Sequence, residues 1–282
     1  MKFVSFQHAG RSDKGQRSRQ EDAYGIKVFE HSLAGQRKES SKAGAKIADG
    51  ELIGARSMEL IAVLSDGMGG HVGGARASKL TCGSFLATWP KIEGPNDRRL
   101  LLSLDHANKT IASEIETDAS LQGMGCTLVG VCVDRSGVHW VSVGDSLLYL
   151  YHNKKLSKLN EDHSLAPVLD DLVEQGEMTS LEAARHPKRN MLRSAITGEE
   201  IRLVDLNREA IPLGRGDWLI LASDGMTSLS NDQVARLVAK NRNGSADQMA
   251  QALVAAVKKK AVTGQDNITV VVIGFDKTKT RQ

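Results

Sequence analysis

Two apolar runs in this chain end in the same dipeptide: LIAVLS leads into Asp66-Gly67, and WLILAS leads into Asp224-Gly225. A third run, ITVVVIGF, starts just after Asp266-Asn267. Runs that are continuous, rather than alternating with polar residues, read as strands buried on both faces. A carboxylate at the end of such a strand is costly unless something pairs with it. Several such ends without matching Lys or Arg, together with Glu21 and Asp22 in RSRQED, point to hard cations held by oxygen ligands.

The bulk properties narrow the alternatives. With 282 residues, 40% hydrophobic and 25% charged, the chain can bury a full core and has an ordinary globular composition. Aromatic residues make up only 4% and the net charge is +3 with no basic stripe, so a nucleic-acid partner is not favoured. No apolar stretch reaches the roughly 20 residues of a membrane span, and the N-terminus MKFVSFQHAG lacks the apolar core of a signal peptide. The three cysteines, Cys82, Cys126 and Cys132, have no metal-ligand spacing and read as reduced, small core residues of a cytoplasmic protein.

Along the chain, short strands are expected at 2–9 and 23–29, flanking the RSRQED loop. Residues 30–58, rich in Ala, Gly, Ser and Lys, read as a variable insertion. A buried strand at 59–65 precedes the glycine-dense GMGGHVGG. Helices at about 75–89, stopped by Pro90, and 97–118 follow. Strands are expected at 126–134, 138–143 and 146–152, then near 191–196, 202–207 and 217–223. Between them, Leu165, Leu169, Leu172 and Val173 lie on one helical face, and Thr179-x-x-Glu182 marks a short helix start. Ser230-x-x-Gln233 and Ser245-x-x-Gln248 start two late helices, and the last strand is 268–275. Hairpin-length connections dominate, which predicts an α+β fold with antiparallel sheets. We read 1–276 as a single domain and 277–282 as a basic, solvated tail.

The Asp-Gly steps have a chemical use. The carboxylate can bridge two cations while glycine lets the backbone carbonyl approach a metal. Two cations roughly 3.5–4 Å apart lower the pKa of a shared water and clamp a phosphoryl oxygen. Arg17, four residues before Glu21, offers a planar fork suited to bidentate phosphate contact. Alone, each Asp-Gly is a common turn; the joint order of these features carries the reading.

The series RSRQEDA, LSDGMGGH, GCTLVGV, VSVGDS, DHS, LASDGM and GQDNITVVV resembles the metal-dependent protein phosphatases, the type 2C serine/threonine phosphatases, in their bacterial form. The resemblance runs from about residue 5 to 275. It implies a four-layer α-β-β-α sandwich of two antiparallel sheets with helices outside, and a binuclear Mn2+ or Mg2+ centre. On the matching positions Asp66 bridges both metals, Glu21 and the Gly67 carbonyl serve one, and Asp224 and Asp266 serve the other. Asp22 orients water, Arg17 binds the phosphate, and Asp145 joins Asp224 at a weaker third metal. The implied reaction is hydrolysis of phosphoserine or phosphothreonine in a protein by a metal-activated water. The substrates would be phosphoproteins made by a Ser/Thr kinase, and the enzyme would act as a cytoplasmic monomer.

Departures from the family pattern stand at Gln20, where Asn is usual, at Cys126 in place of Thr, and at Leu147 in place of an Arg after Gly144-Asp145-Ser146. The last leaves the support of Asp145 open. Met68 stands where some members carry a histidine, and His71 reads as a loop anchor. Residues 163–201 match the family's variable flap, either a structural lid or a substrate selector, with an unusual end at Arg193–Gly198. Rival functions are an inactive phosphatase-like binding module, a nuclease or small-molecule phosphatase, and a phosphatase dedicated to one regulator protein.

Overall fold

A computed structural model describes residues 6–31, 37–39, 57–68 and 73–275. His71, most of the expected insertion and the basic tail lie outside the described residues. In chain order the first strands are β1 (Phe6–Asp13), β2 (Ala23–His31), β3 (Arg37–Glu39), β4 (Ser57–Ser65) and β5 (Gly67–Met68), followed by helices α1 (Gly73–Thr88) and α2 (Asn96–Thr117). Then come β6 (Gly125–Cys126), β7 (Leu128–Asp134), β8 (Gly137–Val143), β9 (Leu147–His152) and β10 (Lys155–Lys158). The chain continues with α3 (Ala166–Glu174), α4 (Ser180–Arg185), β11 (Asp205–Leu206), β12 (Trp218–Ala222), α5 (Asn231–Asn241), α6 (Ala246–Lys260) and β13 (Ile268–Phe275).

One sheet runs β1-β13-β12-β9-β10 and the other β11-β8-β7-β4-β2-β3, with β5 and β6 as a separate two-strand ribbon. The apolar runs are the middle of these sheets because both of their faces are covered. In β13, Val271, Ile273 and Phe275 enter the layer between the sheets, and Ile268, Val270 and Val272 face α5 and α6. In β4, Leu60, Ala62 and Leu64 enter the inter-sheet layer, while Ile61 and Val63 face α1 and α2. Three apolar layers thus alternate with four layers of backbone, which is the expected α-β-β-α sandwich. Each fully buried Val, Leu, Ile or Phe contributes roughly 1.5–3 kcal/mol of transfer free energy.

The helix starts follow the sequence signals. Thr179, Ser230 and Ser245 each accept from the backbone N–H three residues on, and Glu182, Gln233 and Gln248 reach back to the cap N–H. Each such cap is worth about 1 kcal/mol. All three cysteines are free, buried and in the layer between the second sheet and α1–α2.

Some expectations are corrected. The expected strand at 191–196 makes only single bridges, Ser164 with Leu192 and Cys126 with Ile196, because the segment crosses its neighbours instead of running along them. The strand at 202–207 shrinks to β11. The strand at 126–134 breaks at Thr127, whose backbone turns aside to bond Asp66. The first strand runs on to Asp13 through polar residues, because its extent is set by backbone pairing with β13 and not by hydrophobicity. Of the apolar stripe on α3, only Leu169 is buried. Part of the region expected as an insertion is strand: β3 pairs with β2 at residues 29–31.

Candidate active site

Register brings the acidic residues together. The β2–β4 ladder ends at Ala23 opposite Ser65, so one step further Asp22 stands opposite Asp66. The β9–β12 ladder ends at Leu147 opposite Ala222, and its continuation sets Asp145 opposite Asp224. Both ladders end at the same edge of the sandwich. There a cavity of about 570 Å³ is lined by Arg17, Arg19, Glu21, Asp66, Gly67, Asp145, Asp224 and Asp266, among others. Asp22, the remaining residue singled out from sequence, lies behind the wall; it is 5% exposed, and the Ser223 hydroxyl donates to its Oδ2 at 2.8 Å.

The strand end carrying Asp66 is clamped. Its N–H donates to Thr127 Oγ1 at 3.0 Å, and the Thr127 N–H donates to the Asp66 carbonyl at 2.9 Å. Gly67 admits no side chain: a Cβ there would lie 2.2 Å from the Gly74 carbonyl oxygen and 2.6 Å from that of Glu21. This close approach keeps the Gly67 backbone at the cavity wall.

The electrostatics are those of crowded, desolvated carboxylates. Burial, then the fields of Asp22, Asp224, Asp145 and Asp266, hold the Asp66 carboxyl well above its ordinary range. Burial pushes Asp145 up to about 7, with Asp224 and Asp162 adding to it. Asp22 is raised to about 6, chiefly by burial, against the hydrogen bonds of Ser223 and Thr269. Asp224 is raised by burial and Asp266, and is relieved in part by a hydrogen bond with Asp66 and by Arg17. Two buried oxygens, Asp22 Oδ1 and Asp224 Oδ1, have no hydrogen-bond partner. Among the described residues, no three of these side chains are drawn together closely enough to hold an ion as they stand. Cations that keep part of their water shell do not need three carboxylates drawn together, so an acidic lining with unpartnered buried oxygens and mutually repelling carboxylates fits hydrated hard cations.

The cationic rim comes from the loop between β1 and β2. Buried Asn267 pins that loop at three points: its Nδ2 donates to the carbonyls of Lys14 (2.8 Å) and Arg19 (2.9 Å), and its Oδ1 accepts from the Glu21 N–H (2.7 Å). Arg17 Nη2 donates to Asp266 Oδ2 at 2.5 Å, leaving the rest of its fork free. In the sequence nothing sets Asn267 apart beyond its place between Asp266 and the apolar run ITVVVIGF.

The question left by Leu147 has a structural answer. Gly144, at φ +99°, makes the turn before Asp145. The buried His163 grips that glycine from both sides: the Gly144 N–H donates to His163 Nδ1 at 3.3 Å, and the His163 N–H donates to the Gly144 carbonyl at 3.1 Å. Ser146 and Thr127 share a hydroxyl hydrogen bond of 2.7 Å, and Asn160 Nδ2 donates to the Ser146 carbonyl at 2.8 Å. Backbone bonds from Leu165 to Met191 and from Arg193 to His163 tie the same segment to the part of the cavity lining where Asn190, Met191 and Leu192 stand. His163 was missed as a functional residue, although DHS was noted.

A cleft with an acidic floor and an arginine rim, at one edge of a double antiparallel sandwich, defines a metal-dependent phosphoester hydrolase. The profile of the protein phosphatase 2C family matches residues 51–261. The chain is 32% identical over 224 residues to the serine/threonine phosphatase stp of Listeria monocytogenes, covering 78% of this chain and 86% of that one. It is similar to the crystal structure of the Mycobacterium tuberculosis serine/threonine phosphatase PstP/Ppp, with TM-score 0.72, 27% identity, and coverage of 98% and 100%. It is also similar to the catalytic domain of PstP in complex with two manganese ions, with TM-score 0.69, 26% identity and the same coverage. The chain belongs to the protein phosphatase 2C family, and with it to the serine/threonine phosphatases.

Proposed function

We propose that this protein hydrolyses phosphoserine and phosphothreonine esters on proteins phosphorylated by Ser/Thr kinases, and that it does so with two divalent cations, Mn2+ or Mg2+. Asp66 would serve both cations, Glu21 and the Gly67 carbonyl one, and Asp224 and Asp266 the other. Asp145 with Asp224 would hold a weaker third. Bound there, the cations would supply Lewis acidity for activating water and neutralising phosphoryl charge. The observation that carries this reading is the pair of buried, unpartnered oxygens on Asp22 and Asp224, beside carboxylates that burial and mutual repulsion hold above their ordinary range. Such a site needs positive charge to balance it.

The chain's own residues then have distinct tasks. Arg17 spends one donor on Asp266 and keeps the remainder of its fork for the phosphate oxygens, where charge builds during phosphoryl transfer. Asp22, held by Ser223 behind the carboxylates, orients water and accepts a proton. The buried reduced thiols accord with a cytoplasmic setting, and among the described residues no helix is long and apolar enough to cross a membrane.

Phosphate release from matched phosphoserine, phosphothreonine and phosphotyrosine peptides, with Mn2+ and with excess EDTA, tests the proposal. Turnover of the first two that vanishes in EDTA and returns with Mn2+ is expected. Full turnover in chelator would overturn the metal assignment, and no turnover of any peptide would overturn the enzymatic one.

A further inference from the structure

The cavity rim carries a second cation that the reaction above does not use. Among the described residues, Arg17 and Arg19 are the basic residues lining the cavity, and they are occupied differently. Arg17 is bound to Asp266 at 2.5 Å. The Arg19 guanidinium is exposed and has no hydrogen-bond or ion-pair partner among the described residues. Yet its backbone is not loose: buried Asn267 holds the Arg19 carbonyl at 2.9 Å and, through the same amide, Lys14 and Glu21. The anchored backbone fixes the base of this guanidinium at the cavity rim, where its fork is available to an anion.

The cavity lining also includes the uncharged segment Asn190, Met191 and Leu192, and Met191 is 49% exposed. Of the two arginines that flank that segment, Arg189 is forked onto Asp170 with bonds of 2.8 and 2.9 Å, and Arg193, although exposed, is not among the described residues that line the cavity. A ligand in the cavity therefore has Arg17 and Arg19 as cations and Met191 and Leu192 as apolar surface within the same lining.

Spacing sets what Arg19 can read. Two residues of chain span at most about 7 Å between Cα atoms, so the Arg17 and Arg19 side chains start no further apart than those at positions i and i+2 of an extended peptide. We infer that Arg19 is a specificity-determining residue that binds a second anionic group, a carboxylate or a second phosphate, within two residues of the phosphorylated residue. The preferred substrates are accordingly phosphopeptides with an acidic or doubly phosphorylated segment, the apolar part of the lining taking a neighbouring residue. This rests on the phosphatase reading above.

The test uses the full-length protein with Mn2+ and five-residue phosphothreonine peptides differing at one position two residues away: Ala, Glu or phosphoserine. The readout is the ratio of kcat/KM for each anionic peptide to that for the Ala peptide, taken within each variant so that effects on common machinery cancel. In wild type the ratio should be about three- to tenfold, as for a rim pair that is charge-assisted but solvated, and should fall with added salt. Arg19→Ala should bring it to about one, Arg19→Lys should keep part of it, and Arg19→Glu should invert it. A gain with phosphoserine but not with Glu identifies the second anion as phosphate; a gain with both identifies charge alone. A wild-type ratio near one, or a ratio unchanged in Arg19→Ala, overturns the inference while leaving the phosphatase reading standing. No turnover of any peptide by wild type would refute both.

Discussion

Replacing one partner of the buried Glu59–Arg99 pair should be among the most destabilising single changes in this protein. Glu59 lies on β4, seven residues before Asp66, and Arg99 lies in the first turn of α2; they are 4% and 3% exposed. Arg99 Nη1 donates to Glu59 Oε1 at 2.5 Å and Nη2 to Oε2 at 3.3 Å. The Trp89 indole N–H donates to the same carboxylate at 3.0 Å, and the guanidinium carbon sits 3.7 Å from the centroid of that ring. Arg99→Leu would leave the carboxylate buried without its counter-charge. Removing one member of such a pair costs about 3–5 kcal/mol. At about 2.1 cal/mol/K of unfolding entropy per residue, that lowers Tm by roughly 5–8 °C for a chain of this size. Glu59→Leu should cost a similar amount, softened by the Trp89 ring and Asn96, whose Oδ1 accepts from Arg99 Nη1 at 3.1 Å. The double variant Glu59→Leu/Arg99→Leu removes both charges and should lose far less than the sum, because a buried pair replaced by apolar side chains is often near neutral. Urea unfolding of the four proteins, closed as a double-mutant cycle, measures this. Single losses below about 1 kcal/mol, or a double loss equal to the sum, would refute the reasoning.

Three further outcomes are expected. With cations chelated, Asp22 and Asp145 titrate near 6 and 7 in the folded state, above the carboxyl value of the unfolded chain, so the folded protein binds more protons and its Tm should rise as pH falls from 8 to 5.5. Mn2+ should raise Tm and flatten that slope; a metal-free Tm that falls over this interval would contradict the electrostatics. Arg17→Ala should raise KM for phosphopeptides with metal affinity little changed, and Arg17→Lys should rescue only in part, since the fork is lost; wild-type kinetics in Arg17→Ala would mean that another cation holds the phosphate. Asp145→Ala should lose a weak Mn2+ site in calorimetry together with most protein-phosphatase turnover, and His163→Leu should do the same in milder form. His163→Asn, which keeps an acceptor near the Nδ1 position for the Gly144 N–H, should restore it; identical behaviour of the Leu and Asn variants would reduce His163 to a packing residue.

The parts legible in the chain are those whose cause is local or carried by continuous runs. LIAVLS, WLILAS and ITVVVIGF announce two-sided burial because no polar residue interrupts them, and the acidic residues at their ends stand out because a carboxylate there needs compensation. The capping boxes at Thr179, Ser230 and Ser245 are three-residue motifs and formed where expected. The segment 191–196 was not legible, because an apolar stretch that merely crosses its neighbours looks the same in sequence as one that pairs along them.

What only the tertiary structure decided is which distant groups meet. Arg17 finds Asp266, and Asn267 holds Lys14, Arg19 and Glu21, across almost the whole length of the chain, because β1 and β13 pair in a register that sets Asp13 opposite Ile268. His163 supports Gly144 although Leu147 stands after Ser146, and Glu59 of β4 finds Arg99 of α2. Charge, size and spacing along a chain determine what each of these side chains can do. Strand register and layer packing determine what lies within hydrogen-bond reach of it: a shift of one residue in the register of β4 would turn Glu59 to the other face, away from Arg99.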